Sequence, residues 1–94
     1  MPTPSQWENL VLAELDRTGD ELLELAGDLI RIPSENPPGD CTQIGRFIAD
    51  LLDRAGFAPE VLDDGDGRLS VVVHHGDVGA GDRHLVLAGH TDVV

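Results

Sequence analysis

Leu85-Val86-Leu87-Ala88-Gly89-His90-Thr91-Asp92-Val93-Val94 is the stretch on which the reading of this 94-residue chain turns. A short apolar run from His84 to Ala88 ends at a glycine, and polar residues follow before two valines. A run of that length, bounded in that way, predicts a buried central strand. His90 and Asp92 stand two apart just beyond it, so continued extended backbone places both side chains on one face. The pairing suits a metal ligand and its support. An imidazole gives one nitrogen to the ion while a carboxylate holds the N–H of the other, which fixes the tautomer and raises the basicity of the ligand. Gly89 lets the backbone approach a site with no side chain in the way.

The spacing alone says little. With 4 histidines in the chain, chance supplies about half of one such pair, and His75-Gly76-Asp77 repeats the pattern. That second pair opens a glycine-rich loop, where solvated polar side chains are the ordinary reading. His90 and Asp92 differ in being delivered by an apolar run and followed by valines.

Working back toward the N-terminus, the Gly76–Asp82 stretch reads as that loop. From Arg68 to His75 the chain alternates Leu69, Val71 and Val73 with Ser70, Val72 and His74, which predicts a half-buried strand. Asp63-Asp64-Gly65-Asp66-Gly67 is turn chemistry between it and a short strand over Ala58–Leu62. The same aspartates open an EF-hand pattern, but the twelfth position from Asp64 is His75 where a glutamate is required, so the stretch is read as a turn and not a calcium site. Ile44, Phe47, Ile48, Leu51, Leu52 and Ala55 recur with helical period, capped by Asp40 or Thr42 at one end and by Gly56 at the other. Ahead of that helix, the Ile32–Asp40 stretch (IPSENPPGD) holds three prolines and a glycine and is a stiff loop. Two further helices precede it. The first opens at Thr3-Pro4-Ser5-Gln6 with a Ser5–Glu8 capping-box spacing and carries Trp7, Leu10, Val11 and Leu15. The second restarts at a Thr18–Glu21 box, carries Leu22, Leu25, Ala26, Leu29 and Ile30, and stops before Pro33.

Helices over about 5–56 followed by strands over about 58–90 give an α/β class. The expected architecture is N-terminal helices packed on a mixed or mostly parallel sheet, with His90 at a strand's carboxyl end, where open α/β sheets place their ligands.

Composition narrows the function. Against 18 acidic residues stand 6 basic ones, all arginine, for a net charge of −12. That field repels nucleic acid and anionic membrane surfaces, both of which select clustered positive charge. The N-terminus has no basic segment followed by an apolar run, and no apolar stretch nears the roughly 20 residues that span a bilayer. One cysteine, Cys41, excludes an internal disulfide and fits a reducing cytoplasm. A GC-rich genome accounts for the missing lysine; a halophilic cytoplasm accounts for the excess of acids, because molar salt screens self-repulsion. Aromatic residues are 3% of the chain, so its own core is thin.

Three segments together carry a resemblance: the Arg31–Asp40 stretch (RIPSENPPGD) after a helix, the helix ending at Leu51-Leu52-Asp53-Arg54-Ala55-Gly56-Phe57, and Val86-Leu87-Ala88-Gly89-His90-Thr91-Asp92-Val93-Val94. They resemble the N-terminus of the di-zinc hydrolases that include acetylornithine deacetylase, succinyl-diaminopimelate desuccinylase, aminoacylase and the glutamate-releasing carboxypeptidases. Gly89, His90, Asp92, Val93 and Val94 match that family's first signature. Pro33, Ser34, Asn36, Pro37, Pro38 and Gly39 match the loop common in its deacetylase and desuccinylase branch.

The resemblance implies that His90 ligates one of two zinc ions, with cobalt as an alternative metal, and that Asp92 orients His90 and assists the chemistry. It implies a zinc-peptidase-like fold, of which residues 1–94 are the N-terminal part of the catalytic domain. The substrate class is N-acyl amino acids or small peptides cleaved at the amide bond, and a homodimer would form through a domain absent from this chain. The bridging aspartate, the Glu-Glu pair, a further acidic ligand and a late histidine of the family have no counterpart here. Zinc wants about four ligands, so the chain alone is expected to bind the metal poorly and to hydrolyse nothing. Two other readings stay open: a non-catalytic acidic α/β domain with an incidental His-x-Asp, and a different co-catalytic zinc aminopeptidase. Cys41, with no partnering histidine in sight, reads as a small packing residue, His74 and His84 as half-exposed partners of nearby acids, and Trp7 as a packing anchor.

Overall fold

Pro4 has no backbone N–H to donate, and it begins the first helix, α1 (Pro4–Arg31), at the one turn of a helix where that donor has no partner to lose. The computed structural model describes residues 1–76, 81 and 83–94. They form two units, Met1–Arg31 and Ile32–Val94, each with its own internal contacts.

In the first unit the capping box is two residues earlier than expected. Thr3 N–H donates to Gln6 Oε1 at 2.7 Å, and Gln6 N–H donates to Thr3 Oγ1 at 3.3 Å. With Pro4 as the first helical residue, Thr3 is left as the cap and Ser5 is already inside. The break expected at Thr18-Gly19-Asp20-Glu21 does not occur, and one 28-residue helix replaces two. Thr18 turns its hydroxyl back on the Glu14 carbonyl at 2.8 Å instead of capping a new helix. Gly19 costs a helix about 1 kcal/mol relative to alanine, a deficit the leucines, alanines and glutamates around it absorb. Ion pairs of Glu14 with Arg17 and of Asp28 with Arg31 lie one turn apart on the same helix. None of the residues of α1 is buried, Trp7 included.

The second unit is built around α2 (Thr42–Arg54). Asp40 Oδ1 accepts from the Thr42 N–H at 2.9 Å and so supplies the cap that Cys41, at the cap position itself, does not. The C-terminus closes as a Schellman motif: Gly56 sits at φ +94°, its N–H donates to the Asp53 carbonyl, and the Phe57 N–H reaches back to the Leu52 carbonyl at 3.0 Å. β1 (Glu60–Asp63) and β2 (Leu69–Val72) follow as an antiparallel hairpin, with Val61 opposite Val71 and Leu62 opposite Ser70. The turn between them is held by its aspartates, Asp63 accepting from the Gly65 N–H and Asp64 from the N–H groups of Asp66 and Arg68.

Cys41, Ile44, Ala49 and Leu69 are the buried apolar residues, gathered where α2 meets the hairpin. The approach is closest at Gly45, where an added Cβ would stand 2.8 Å from Leu69 Cβ. The Cys41 N–H donates to the Gly67 carbonyl at 2.7 Å, tying the start of α2 to the start of β2.

The α/β class therefore holds, but the sheet among the described residues is two-stranded and antiparallel, not mixed or mostly parallel. A five-residue link can join only antiparallel neighbours, because parallel ones need a long crossover. The central strand expected over His84–Ala88 is not formed either: Leu85, Val86 and Leu87 are each more than four-fifths exposed and in no sheet. An apolar run becomes a strand only where neighbouring strands take up its N–H and C=O groups, and neither β1 nor β2 pairs with it. No described helix is long and apolar enough to cross a membrane. The loop expected over Gly76–Asp82 lies largely outside the described residues.

Candidate functional site

Ser34 is the one buried polar side chain among the described residues, 5% exposed, and it lies in the proline-rich loop rather than in an element. Its Oγ donates to the Thr91 carbonyl at 2.8 Å, 57 residues away in sequence. The contact extends along the backbone. Val93 N–H donates to the Ser34 carbonyl at 3.1 Å, Asn36 N–H donates to the Val93 carbonyl at 2.6 Å, and Glu35 and Val93 form a parallel bridge. The two segments singled out separately in the sequence, the loop and the His-x-Asp stretch, thus form one body. The loop closes on itself through the Gly39 N–H to the Glu35 carbonyl at 2.8 Å, with Gly39 at φ +74°. It hands over directly to Asp40 and the start of α2.

On this backbone His90 and Asp92 meet as their spacing predicts. His90 Nδ1 lies 3.1 Å from Asp92 Oδ1 and 3.0 Å from the Asp92 carbonyl oxygen. Both partners are acceptors when Asp92 is ionised, so the proton sits on Nδ1 and Nε2 carries the lone pair. The His90 side chain is 84% exposed, and Nε2 has no hydrogen-bond partner among the described residues. This is the arrangement of a histidine prepared to donate through one nitrogen while a carboxylate holds the other. The strand that was expected to align the pair is missing; the bridge to the loop aligns it instead.

One imidazole nitrogen is not a metal site. Among the described residues no three His, Cys, Asp or Glu side chains come together as a ligand group, whereas zinc takes about four donors. Among the described residues His90 therefore stands as one candidate donor and not as part of a completed ligand group.

The other candidates read as structure. Cys41 is buried, its thiol directed at the Gly39 carbonyl at 3.5 Å. His75 packs its ring edge-on against Phe57, with centroids 5.6 Å apart; its partner in the repeated pattern, Asp77, lies outside the described residues. His74 and His84 are exposed. Asp63 and Asp64 spend an oxygen each on turn N–H groups, as a turn requires. Sequence reasoning placed Ser34 in the matching loop but assigned it no task. The available signal was a hydroxyl residue between Pro33 and an Asn-Pro turn, where a polar side chain is normally solvated.

An exposed histidine with one ring nitrogen held by a carboxylate and the other unpartnered is an arrangement common to metal-ligating histidines. Known proteins are similar to this chain over most of its length. Over 75 residues the chain is 39% identical to a succinyl-diaminopimelate desuccinylase of Anaplasma marginale (strain Florida), covering 80% of this chain and 19% of that protein. Over 73 residues it is 41% identical to the enzyme of the same name from Methylocella silvestris, covering 77% and 18%. The corresponding protein of Ehrlichia canis (strain Jake) is 36% identical over 74 residues, again 77% and 18%. The chain spans about a fifth of the length of these curated relatives. At the level of this segment, the matches support the resemblance to the family that includes the succinyl-diaminopimelate desuccinylases. No family model matches the chain, and no solved structure matches it significantly.

Proposed function

We propose that this chain is the N-terminal part of a desuccinylase-like amide hydrolase that cleaves N-acyl amino acids or small peptides. The observation that carries the reading is the His90–Asp92 pair, with Nδ1–H held and Nε2 free, inside a segment similar to three succinyl-diaminopimelate desuccinylases. In this reading His90 is one zinc ligand. Asp92 favours the neutral tautomer with its proton on Nδ1, which leaves Nε2 as the nitrogen to be offered to the metal. The remaining donors and the general base belong to sequence outside these 94 residues, and the chain by itself is inactive. The −12 charge plays no part in substrate choice here; we read it as an adaptation to solvent, with a cytoplasmic, salt-rich setting as the proposal.

The test is made on a longer protein carrying this segment. Zinc content and hydrolysis of N-succinyl and N-acetyl amino acids are measured for the parent and for His90→Ala. The expected result is loss of bound zinc together with a loss of hydrolysis of at least about a hundredfold, the scale on which ligand and second-shell changes act. Zinc content unchanged by His90→Ala overturns the ligand assignment. A parent that holds zinc and hydrolyses no amide overturns the activity.

A further inference from the structure

The two peptide groups on either side of Asp92 are both gripped by one residue. Ser34 Oγ–H donates to the Thr91 carbonyl, which belongs to the Thr91–Asp92 peptide, and the Ser34 carbonyl accepts from the Val93 N–H, which belongs to the Asp92–Val93 peptide. A peptide unit is planar, with its C=O and N–H on opposite sides. Holding the Val93 N–H toward Ser34 therefore aims the Asp92 carbonyl the opposite way, and that carbonyl oxygen is the atom 3.0 Å from His90 Nδ1. Holding the Thr91 carbonyl fixes the other side of the same residue, and with it the direction in which Asp92 Oδ1 reaches Nδ1 at 3.1 Å. Both acceptors of the His90 proton thus depend on Ser34. The hydroxyl makes its bond in a 5% exposed position, where water cannot readily replace it.

We infer that Ser34 is a positioning residue that sets the Nδ1–H tautomer and the orientation of His90 by holding both peptides flanking Asp92. It touches neither a metal nor a substrate. Its bearing on metal binding rests on the function proposed above, whereas its control of the tautomer stands on the hydrogen bonds alone.

The experiment is NMR on the 94-residue chain, at a fixed pH where imidazole is neutral. Imidazole nitrogen shifts give the His90 tautomer, and amide exchange gives the protection of Val93 and of α2. In the parent, His90 is expected to be mainly Nδ1–H. Ser34→Ala removes the bond to the Thr91 carbonyl and keeps the main-chain carbonyl that accepts from the Val93 N–H. It should make Nδ1–H the minor form and, by loosening the adjoining peptide, speed Val93 exchange by up to about fivefold, the worth of one ordinary hydrogen bond, while α2 keeps its protection. Ser34→Thr, which retains the hydroxyl, should restore both. An Ala variant with the parent tautomer and parent Val93 exchange overturns the inference. Should Ser34→Ala unfold the unit, the parent decides, since a His90 that is mainly Nε2–H there overturns it as well. Zinc titration of the longer protein reports separately: His90→Ala without effect on zinc, beside an intact Ser34-dependent tautomer, fails the ligand reading and leaves the positioning role standing.

Discussion

Gly45→Ala should destabilise the second unit, although the same exchange in a helix ordinarily helps. An alanine in place of a helical glycine gains about 1 kcal/mol from backbone entropy. Against that, the new Cβ would stand 2.8 Å from Leu69 Cβ and 3.3 Å from Leu69 Cδ2. The Cδ2 end can swing to another rotamer, but the Cβ is attached to the backbone of β2 and moves only if the hairpin moves. Carbon atoms pack at about 3.5–4.0 Å, so the hairpin must back away from α2 by more than half an ångström. Leu69 is one of four buried apolar residues among the described ones, and the shift loosens its contacts with the others. Inserting a methyl into packed structure costs about 1–3 kcal/mol, which exceeds the propensity gain over most of that range and leaves a net loss of about 1 kcal/mol. The control is Gly19→Ala in α1, where an added Cβ meets nothing within 4 Å and only the gain remains. Amide exchange over residues 42–54 and 69–72 reads the second unit directly and is the assay. Exchange in α2 should quicken about fivefold for Gly45→Ala, and exchange in α1 should slow for Gly19→Ala. Slower exchange in α2 of Gly45→Ala would refute the close approach to Leu69.

The Asp40 carboxyl is held below the usual value of 3.8 by hydrogen bonds from the Thr42 backbone and side chain. A depressed carboxylate contributes stability that is present above the unfolded value and is lost as pH falls through the lower folded value; urea unfolding between pH 5 and pH 2 should show that loss, and Asp40→Asn should flatten it. Gly56 and Gly67 both have positive φ, but only at Gly67 would a Cβ collide, 2.9 Å from Asp40 Oδ1. Both alanine variants should lose about 1 kcal/mol to the left-handed backbone, and Gly67→Ala should lose more because it displaces the cap; equal urea midpoints would contradict this. With a net charge of −12, the melting temperature should rise between low and molar KCl as self-repulsion is screened, and a flat profile would remove the argument for salt adaptation.

Three of the readings that held show short-range causes. Gly56 closes α2 because a left-handed residue is needed there and only its neighbours decide it. The aspartate-glycine turn forms because its own side chains satisfy its own N–H groups. His90 and Asp92 meet because two residues apart is within reach. The readings that failed each depended on something distant or on a choice between equal local options. Thr3–Gln6 and Ser5–Glu8 are both capping boxes by pattern, and the position of Pro4 chose the first. Thr18-Gly19-Asp20-Glu21 has the composition of a restart, yet the helix on either side was strong enough to continue through it.

The strand expected at His84–Ala88 shows where local reasoning stops. The sequence by itself determined that the run is apolar, that a glycine ends it, and that a histidine and an aspartate follow at a spacing able to pair. Whether the run becomes a strand was decided by tertiary structure, because a strand's hydrogen bonds belong to its neighbours and the hairpin offers it none. Tertiary structure alone also decided that Ser34 and Thr91 touch across 57 residues. No periodicity encodes that contact: it arises when the backbone of a stiff loop and that of the His-x-Asp stretch satisfy one another. His90 and Asp92 were legible in the chain as a pair able to meet, and the contact from Ser34 that holds the backbone around Asp92 was not.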